Sequence, residues 1–190
     1  MSFSRADTVS DSTSGFGQQM WSPSADQVKA SNLASFIELA VQSSSLSETD
    51  YESLYRWSVD EPENFWSLLW DFGAVVCEQK GERVLVDKHL MPGAQWFPDA
   101  RLNFAENLLR RDDDGAAIIF RSENGDEELL SFSQLRSRVA QTASALRTSG
   151  VVVGDRVAGF LPNLPDTIIA MLATASIGAV WSSSSPDFGV

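Results

Sequence analysis

The strongest constraint on how this chain folds is a change of period at Gly115. Asp112, Asp113, Asp114 and Gly115 place three like charges beside a glycine, which ends any helix arriving from upstream. Beyond them the apolar residues fall into short runs at 116–120 (AAIIF), 128–130, 157–161 and 179–182, with longer periodic stretches between. Such runs are strand candidates, and stretches with apolar positions every three or four residues are helices. Asn124-Gly125 is a hairpin signal joining the first two runs. Ser131 and Ser133 both fit as caps for a helix with Leu135, Val139, Thr142, Ala143 and Leu146 inward, ended by Gly150. Pro165 starts the next helix, with Ile168, Ile169, Leu172, Ala175 and Ser176 inward, and Gly178 stops it. Strand, helix, strand, helix, strand at this spacing describes an α/β fold with parallel pairing and right-handed crossovers. The serines Ser182 to Ser184 then sit just past the carboxyl end of the last strand, the edge where open α/β sheets bind ligands. The alternative is a solvated Ser/Pro turn that binds nothing.

Upstream of this zone the chain has a different character. Residues 1–20 are rich in Ser, Thr, Gly and Asp, lack a basic start followed by an apolar stretch, and are expected as a disordered tail rather than a secretory signal. Asp7 and Asp11 argue against an organellar transit peptide. Residues 21–111 form an aromatic-rich helical zone. Ser22-Pro23 is expected to open its first helix, with Leu33, Phe36, Ile37, Ala40 and Val41 along one face. Ser47 and Asp50 resemble a capping box ahead of Tyr51, Leu54 and Tyr55. Asp60 and Pro62 start a third helix whose Phe65, Trp66, Leu69, Trp70 and Phe72 put large rings on one side. Rings at helical spacing are core far more often than a ligand cage, so this zone is expected to be a helical cap packed on something larger. Pro92-Gly93 and Pro98-Asp99 are turns around an extended segment anchored by Trp96 and Phe97. A helix over 103–109 should turn Phe104, Leu108 and Leu109 inward.

Composition removes several kinds of chemistry. A net charge of −12 repels nucleic acid and anionic membranes, although it leaves room for a local basic pocket. The weakly charged run from 159 to 186 is divided by Pro162, Asn163, Pro165 and Gly178, too short in its pieces to span a bilayer. One cysteine, Cys77, allows no intrachain disulfide and suits a reducing compartment; the simplest location is the cytosol. One histidine, His89, builds neither a metal site nor a Ser-His-Asp arrangement. No GxxxxGK[ST], GxGxxG or GxSxG string occurs. The paired carboxylates Asp60-Glu61 and Glu127-Glu128 read as solvated charges, and Tyr55-Arg56-Trp57 as packing rather than base stacking. No complete active site is expected from the residues themselves: no catalytic residue and no metal ligand.

The strings WSVDEPENFWSLLWDF, MPGAQWFPDARLNFAENLL and GDRVAGFLPNLPDTIIAMLATASIGAVWSSSSPDFGV, in that order, resemble the N-terminal part of the adenylate-forming acyl-CoA synthetases, in their acetoacetyl-CoA synthetase branch. The resemblance runs from about 21 to 190. It implies that residues 21–111 are the helical N-terminal extension of acetyl-CoA synthetase-like enzymes. It implies too that residues 112–190 open the parallel sheet of the AMP-binding domain, which is incomplete here. The activity so implied joins acetoacetate to CoA with ATP and Mg²⁺, through an acyl-adenylate, releasing AMP and pyrophosphate. Adenylation gives a poor electrophile, the carboxylate, a good leaving group. The family's phosphate loop, its adenine and ribose contacts and its mobile lysine lie beyond Val190, so the resemblance implies a fragment inactive alone. One site carries over by alignment: Ser185, Pro186 and Asp187 fall where relatives place a Phe-Gly-Gly stretch against the CoA arm. None of the three residues matches that stretch, and Asp187 is a poor neighbour for phosphate. The other readings are a non-catalytic interaction or regulatory module retaining part of this fold, and a small self-contained nucleotide-binding domain, which lacks the glycine-rich turn it would need at Arg121-Ser122-Glu123. Oligomeric state is not legible in the sequence.

Overall fold

The computed structural model describes residues 19–43 and 46–188. Most of the expected tail, 1–20, lies outside the described residues. The chain divides between Trp57 and Ser58 into two compact units.

In the first unit, α1 (Ala25–Lys29) and α2 (Asn32–Gln42) are separate helices, each with its own serine cap. The cap is Ser24, not the expected Ser22. Its hydroxyl accepts from Gln27 N–H while the Gln27 side chain accepts from Ser24 N–H, a complete capping box. Ser31 caps α2 through Ala34 N–H. In α3 (Tyr51–Asp60) the cap is Asp50 rather than Ser47: its carboxylate accepts from Ser53 N–H at 2.9 Å. That bond holds the Asp50 carboxyl below the usual carboxylate range. Phe36, Ile37, Ala40, Leu54 and Trp57 form the buried core, with the Phe36 and Trp57 ring centroids 6.5 Å apart. Trp57 is therefore packing, as its sequence context suggested. Leu33, expected on the inner face, is exposed.

The second unit begins with α4 (Pro62–Phe72), which buries none of its residues fully. Trp66 and Trp70 instead wall an open apolar groove of about 470 Å³ with Leu69, Val75, Trp96 and Phe97. From 73 to 103 the chain is mostly irregular. Two short strands, β1 (Leu85–Val86) and β2 (Gln95–Trp96), pair antiparallel. Then α5 (Phe104–Leu108) keeps only part of the expected inner face: Leu109, its C-cap, packs on the core, but Ala105 is fully buried while Phe104 and Leu108 are exposed. A single turn and a half carries too little period to decide which side faces in, and contact with α7 (Pro165–Ser176) decides it for the alanine.

The remaining elements follow the expected order. The hairpin β3 (Ala116–Arg121) and β4 (Glu127–Ser131) leads into α6 (Phe132–Thr148), and β5 (Arg156–Phe160) and β6 (Val180–Ser184) flank α7. β5 and β6 pair in parallel with Val157 opposite Trp181 and Phe160 opposite Ser184. β3 and β4 form a separate antiparallel sheet, so the first strand of this zone does not join the parallel pair as a third partner. The hydrophobic core lies between α6, α7 and the strands, on Leu130, Leu135, Val139, Ala143, Ile169, Leu172, Ala173 and Ile177.

One boundary changes the reading of the serines. β6 runs to Ser184, so Ser182, Ser183 and Ser184 are ladder residues opposite Ala158, Gly159 and Phe160. Serine has little strand preference, but backbone pairing with β5, continued by Leu161 N–H to Ser184 C=O at 3.2 Å, overrides it.

Candidate functional site at the carboxyl edge of the parallel pair

Because β5 and β6 run the same way, the loops that follow them leave from one edge. After β5, Leu164 N–H donates to Pro162 C=O and the Thr167 hydroxyl donates to the same oxygen at 2.7 Å, fixing the turn into α7. After β6 the chain turns at Ser185-Pro186-Asp187. Asp187 N–H donates to Ser185 Oγ, the Ser185 hydroxyl reaches Asp187 Oδ2 at 3.0 Å, and Phe188 N–H donates to Ser185 C=O. The three residues carried over by resemblance are thus brought together in one self-bonded turn. Ser185 is half-buried; Pro186 and Asp187 are exposed.

A cleft of about 550 Å³ opens beside this edge, between β3 and the loop 162–165. Its walls are mixed: Ile118, Phe120, Pro162, Leu164 and Ile168 supply apolar surface, and Arg121, Ser122, Glu123 and Asn163 supply polar groups. Arg121 pairs with Glu127 at 2.9 Å. Below it, Arg138 of α6 bridges Glu128 of β4 at 2.7 Å and Asp166 of α7 at 3.0 Å, tying the hairpin to the parallel layer. The carboxylate pair Glu127-Glu128 is therefore divided between two arginines. Gly159 lies under the Trp181 indole; a Cβ there would stand 2.5 Å from the ring. This contact gives the parallel pair a flat aromatic cover that sequence periodicity does not signal.

Among the described residues, no group of three His, Cys, Asp or Glu side chains is placed to hold a metal ion. His89 is exposed and Cys77 half-buried. What the edge provides is shape: two fixed loops, a cleft of mixed polarity and a backbone turn. None of the described helices is long and apolar enough to cross a membrane.

Comparison with known proteins places this architecture. The family profile described as acetyl-coenzyme A synthetase N-terminus matches residues 51–108, and the AMP-binding enzyme profile matches 104–190. The chain belongs to the AMP-binding enzymes, the adenylate-forming acyl-CoA synthetases. Within that class, several of the relatives it resembles are acetoacetyl-CoA synthetases. That of Rhizobium meliloti (strain 1021) is 46% identical over 170 residues, 90% of this chain and 26% of the relative. That of Rattus norvegicus is 41% identical over 176 residues, 91% of this chain and 26% of the relative. The solved acetoacetyl-CoA synthetase from Streptomyces lividans superposes with a TM-score of 0.83 at 41% identity, covering 90% of this chain and 27% of that one. The chain thus spans about a quarter of the length of the relatives it matches.

Proposed function

We propose that this chain is the amino-terminal part of an acetoacetate–CoA ligase, which converts acetoacetate, ATP and CoA to acetoacetyl-CoA, AMP and pyrophosphate by way of an acyl-adenylate. The similarity over 90% of the chain to enzymes named for that product carries the reading. Residues 21–111 supply the N-terminal extension and 112–190 the opening of the AMP-binding domain. With about a quarter of the relatives' length present, the chain positions and does not itself adenylate. Mg²⁺ acts, in this reading, on residues outside these 190, and the reaction runs in the cytosol.

The turn Ser185-Pro186-Asp187 lies, in this proposal, beside the pantetheine arm of CoA. It offers backbone and an apolar proline there. The Asp187 carboxylate already accepts from Ser185, and its charge keeps the phosphates of CoA away.

Two measurements test this. Acetoacetate-dependent AMP release by the purified chain alone should be absent; turnover would sink the fragment reading. A chimera with residues 21–190 in place of the matching segment of the Streptomyces lividans enzyme should keep acetoacetate-dependent activity. A folded, soluble chimera with no such activity would favour a non-catalytic module.

A further inference from the structure

The cleft between α5 and α6 has a charge opposite to that of the chain around it. The chain carries −12, yet this cleft of about 520 Å³ is lined by Arg110, Arg136 and Arg147, with Glu106 as the acid among them. The sequence of α6 contains no acidic residue. Arg136, Ala140, Ala143 and Arg147 follow at i, i+4, i+7 and i+11, so they share one helix stripe. At 1.5 Å per residue the two arginines start about 16 Å apart along the axis. Between them the floor is small and apolar, with Val139 and Ala143 buried.

The donors show what the cleft still lacks. Arg110 Nη1 donates to Gly73 C=O at 2.9 Å and to Ala74 C=O at 3.3 Å. Arg136 Nη1 donates to Leu109 C=O at 2.7 Å, and its Nε stands 3.8 Å from the Asp112 carboxylate. Carbonyl oxygens hold both guanidinium groups in place; they leave the charge of Arg110 uncompensated, while Asp112 partly offsets that of Arg136. A guanidinium has five N–H donors, so each retains some that these contacts do not use. The backbone carbonyl of Arg147 accepts from Gly150 N–H at 3.0 Å, whereas its guanidinium makes no hydrogen bond or ion pair with any described residue, leaving the whole fork available. No aromatic side chain lines the cleft, so it has no platform for stacking a nucleobase.

We infer that this cleft is a binding site for a short linear polyphosphate: free pyrophosphate or tripolyphosphate, or the phosphate chain of a nucleotide. Planar arginine forks match phosphate oxygens two at a time. Several forks along a groove suit several phosphates in a row better than a single anion. The inference rests on the cleft alone and holds whether or not the ligase reading does.

Isothermal titration calorimetry of the complete chain with sodium tripolyphosphate, pyrophosphate, ATP and citrate tests it. Tripolyphosphate should bind, more weakly as salt rises, because exposed charges are screened. Arg147→Gln should raise its Kd by about fivefold or more, one charge-assisted contact discounted for exposure. Arg121→Gln, on β3 and outside the cleft, should leave it unchanged. Arg136→Gln frees the Leu109 carbonyl and risks local unfolding, whereas Arg147→Gln breaks no internal bond, and circular dichroism confirms its fold. Absence of tripolyphosphate binding, an unchanged Kd in Arg147→Gln, equal affinity for citrate, or binding of ATP alone would each overturn the assignment.

Discussion

At the scale of single residues, the irregular stretch 73–103 is held by a few specific contacts. Gly81 has φ +79°, and a Cβ there would stand 2.5 Å from Asp99 Cβ, so the two backbones approach where only glycine fits. Asp99 in turn takes two hydrogen bonds from Arg83, through Nε at 2.8 Å and through Nη2. The Arg83 hydrogen bonds hold the Asp99 carboxyl below the usual carboxylate range and raise the guanidinium further above its own. A carboxyl depressed in the folded state contributes stability that is present above its unfolded pKa, about 4, and is lost as pH falls through the lower folded value. Thermal unfolding followed from pH 7 down through about pH 4 should therefore show Tm falling on the acid side. Arg83→Gln should flatten that part of the fall while leaving the carboxylates Asp50 and Asp113, also depressed by local hydrogen bonds, to supply the rest. An unchanged acid limb in Arg83→Gln would show that the pair does not matter to folding.

At the scale of elements, α5 is short and survives because Asn103 does two things. Its Oδ1 accepts from Ala105 and Glu106 N–H, capping the helix, while its Nδ2 donates to Ala175 C=O of α7 at 2.9 Å. Asn103→Asp keeps the cap and loses the donor. It should cost about 1–2 kcal/mol in urea unfolding, because the Ala175 carbonyl then faces a carboxylate. Asn103→Ala loses the cap as well and should cost about 1 kcal/mol more. Equal costs would mean that the cap carries no stability, and no loss in Asn103→Asp would mean that the tie to α7 carries none.

The same elements show what the sequence makes legible. Ser131, one of the two serines expected as cap, with Pro165 and Gly178, marks α6 and α7 correctly, because caps and breakers act locally. The parallel pairing of β5 with β6 follows from the crossover helix between them. What is not legible depends on partners distant in sequence. Phe104 faces out while Ala105 is buried where α5 meets α7, a contact between residues far apart in the chain. The positive φ values of Ala74, Asp87 and Phe97 have no glycine to announce them. Ser182 to Ser184 enter a strand because β5 supplies the ladder. At the candidate edge, the turn at Ser185 to Asp187 was visible as a Ser-Pro-Asp string, but the Trp181–Gly159 contact was not.

At the scale of the whole molecule, the described sheets are three separate pairs. β5 and β6 therefore each keep one side free of strand partners, and Phe160 and Val180 are exposed on them, at 67% and 53%. Free strand edges with apolar side chains recruit other strands. Light scattering of the purified chain should show association that grows with concentration, and Val180→Lys should reduce it, as charges do on natural edges. Association unaltered by the lysine would point to the Trp66 and Trp96 groove instead. The clamp at Asn107 has a different consequence. Its side-chain amide accepts from Val76 N–H and donates to Val76 C=O, both at 2.9 Å, so one side chain stands in for a neighbouring strand. A proton on Val76 nitrogen should thus resist replacement by deuterium as though it belonged to a sheet, in a segment with no regular structure of its own.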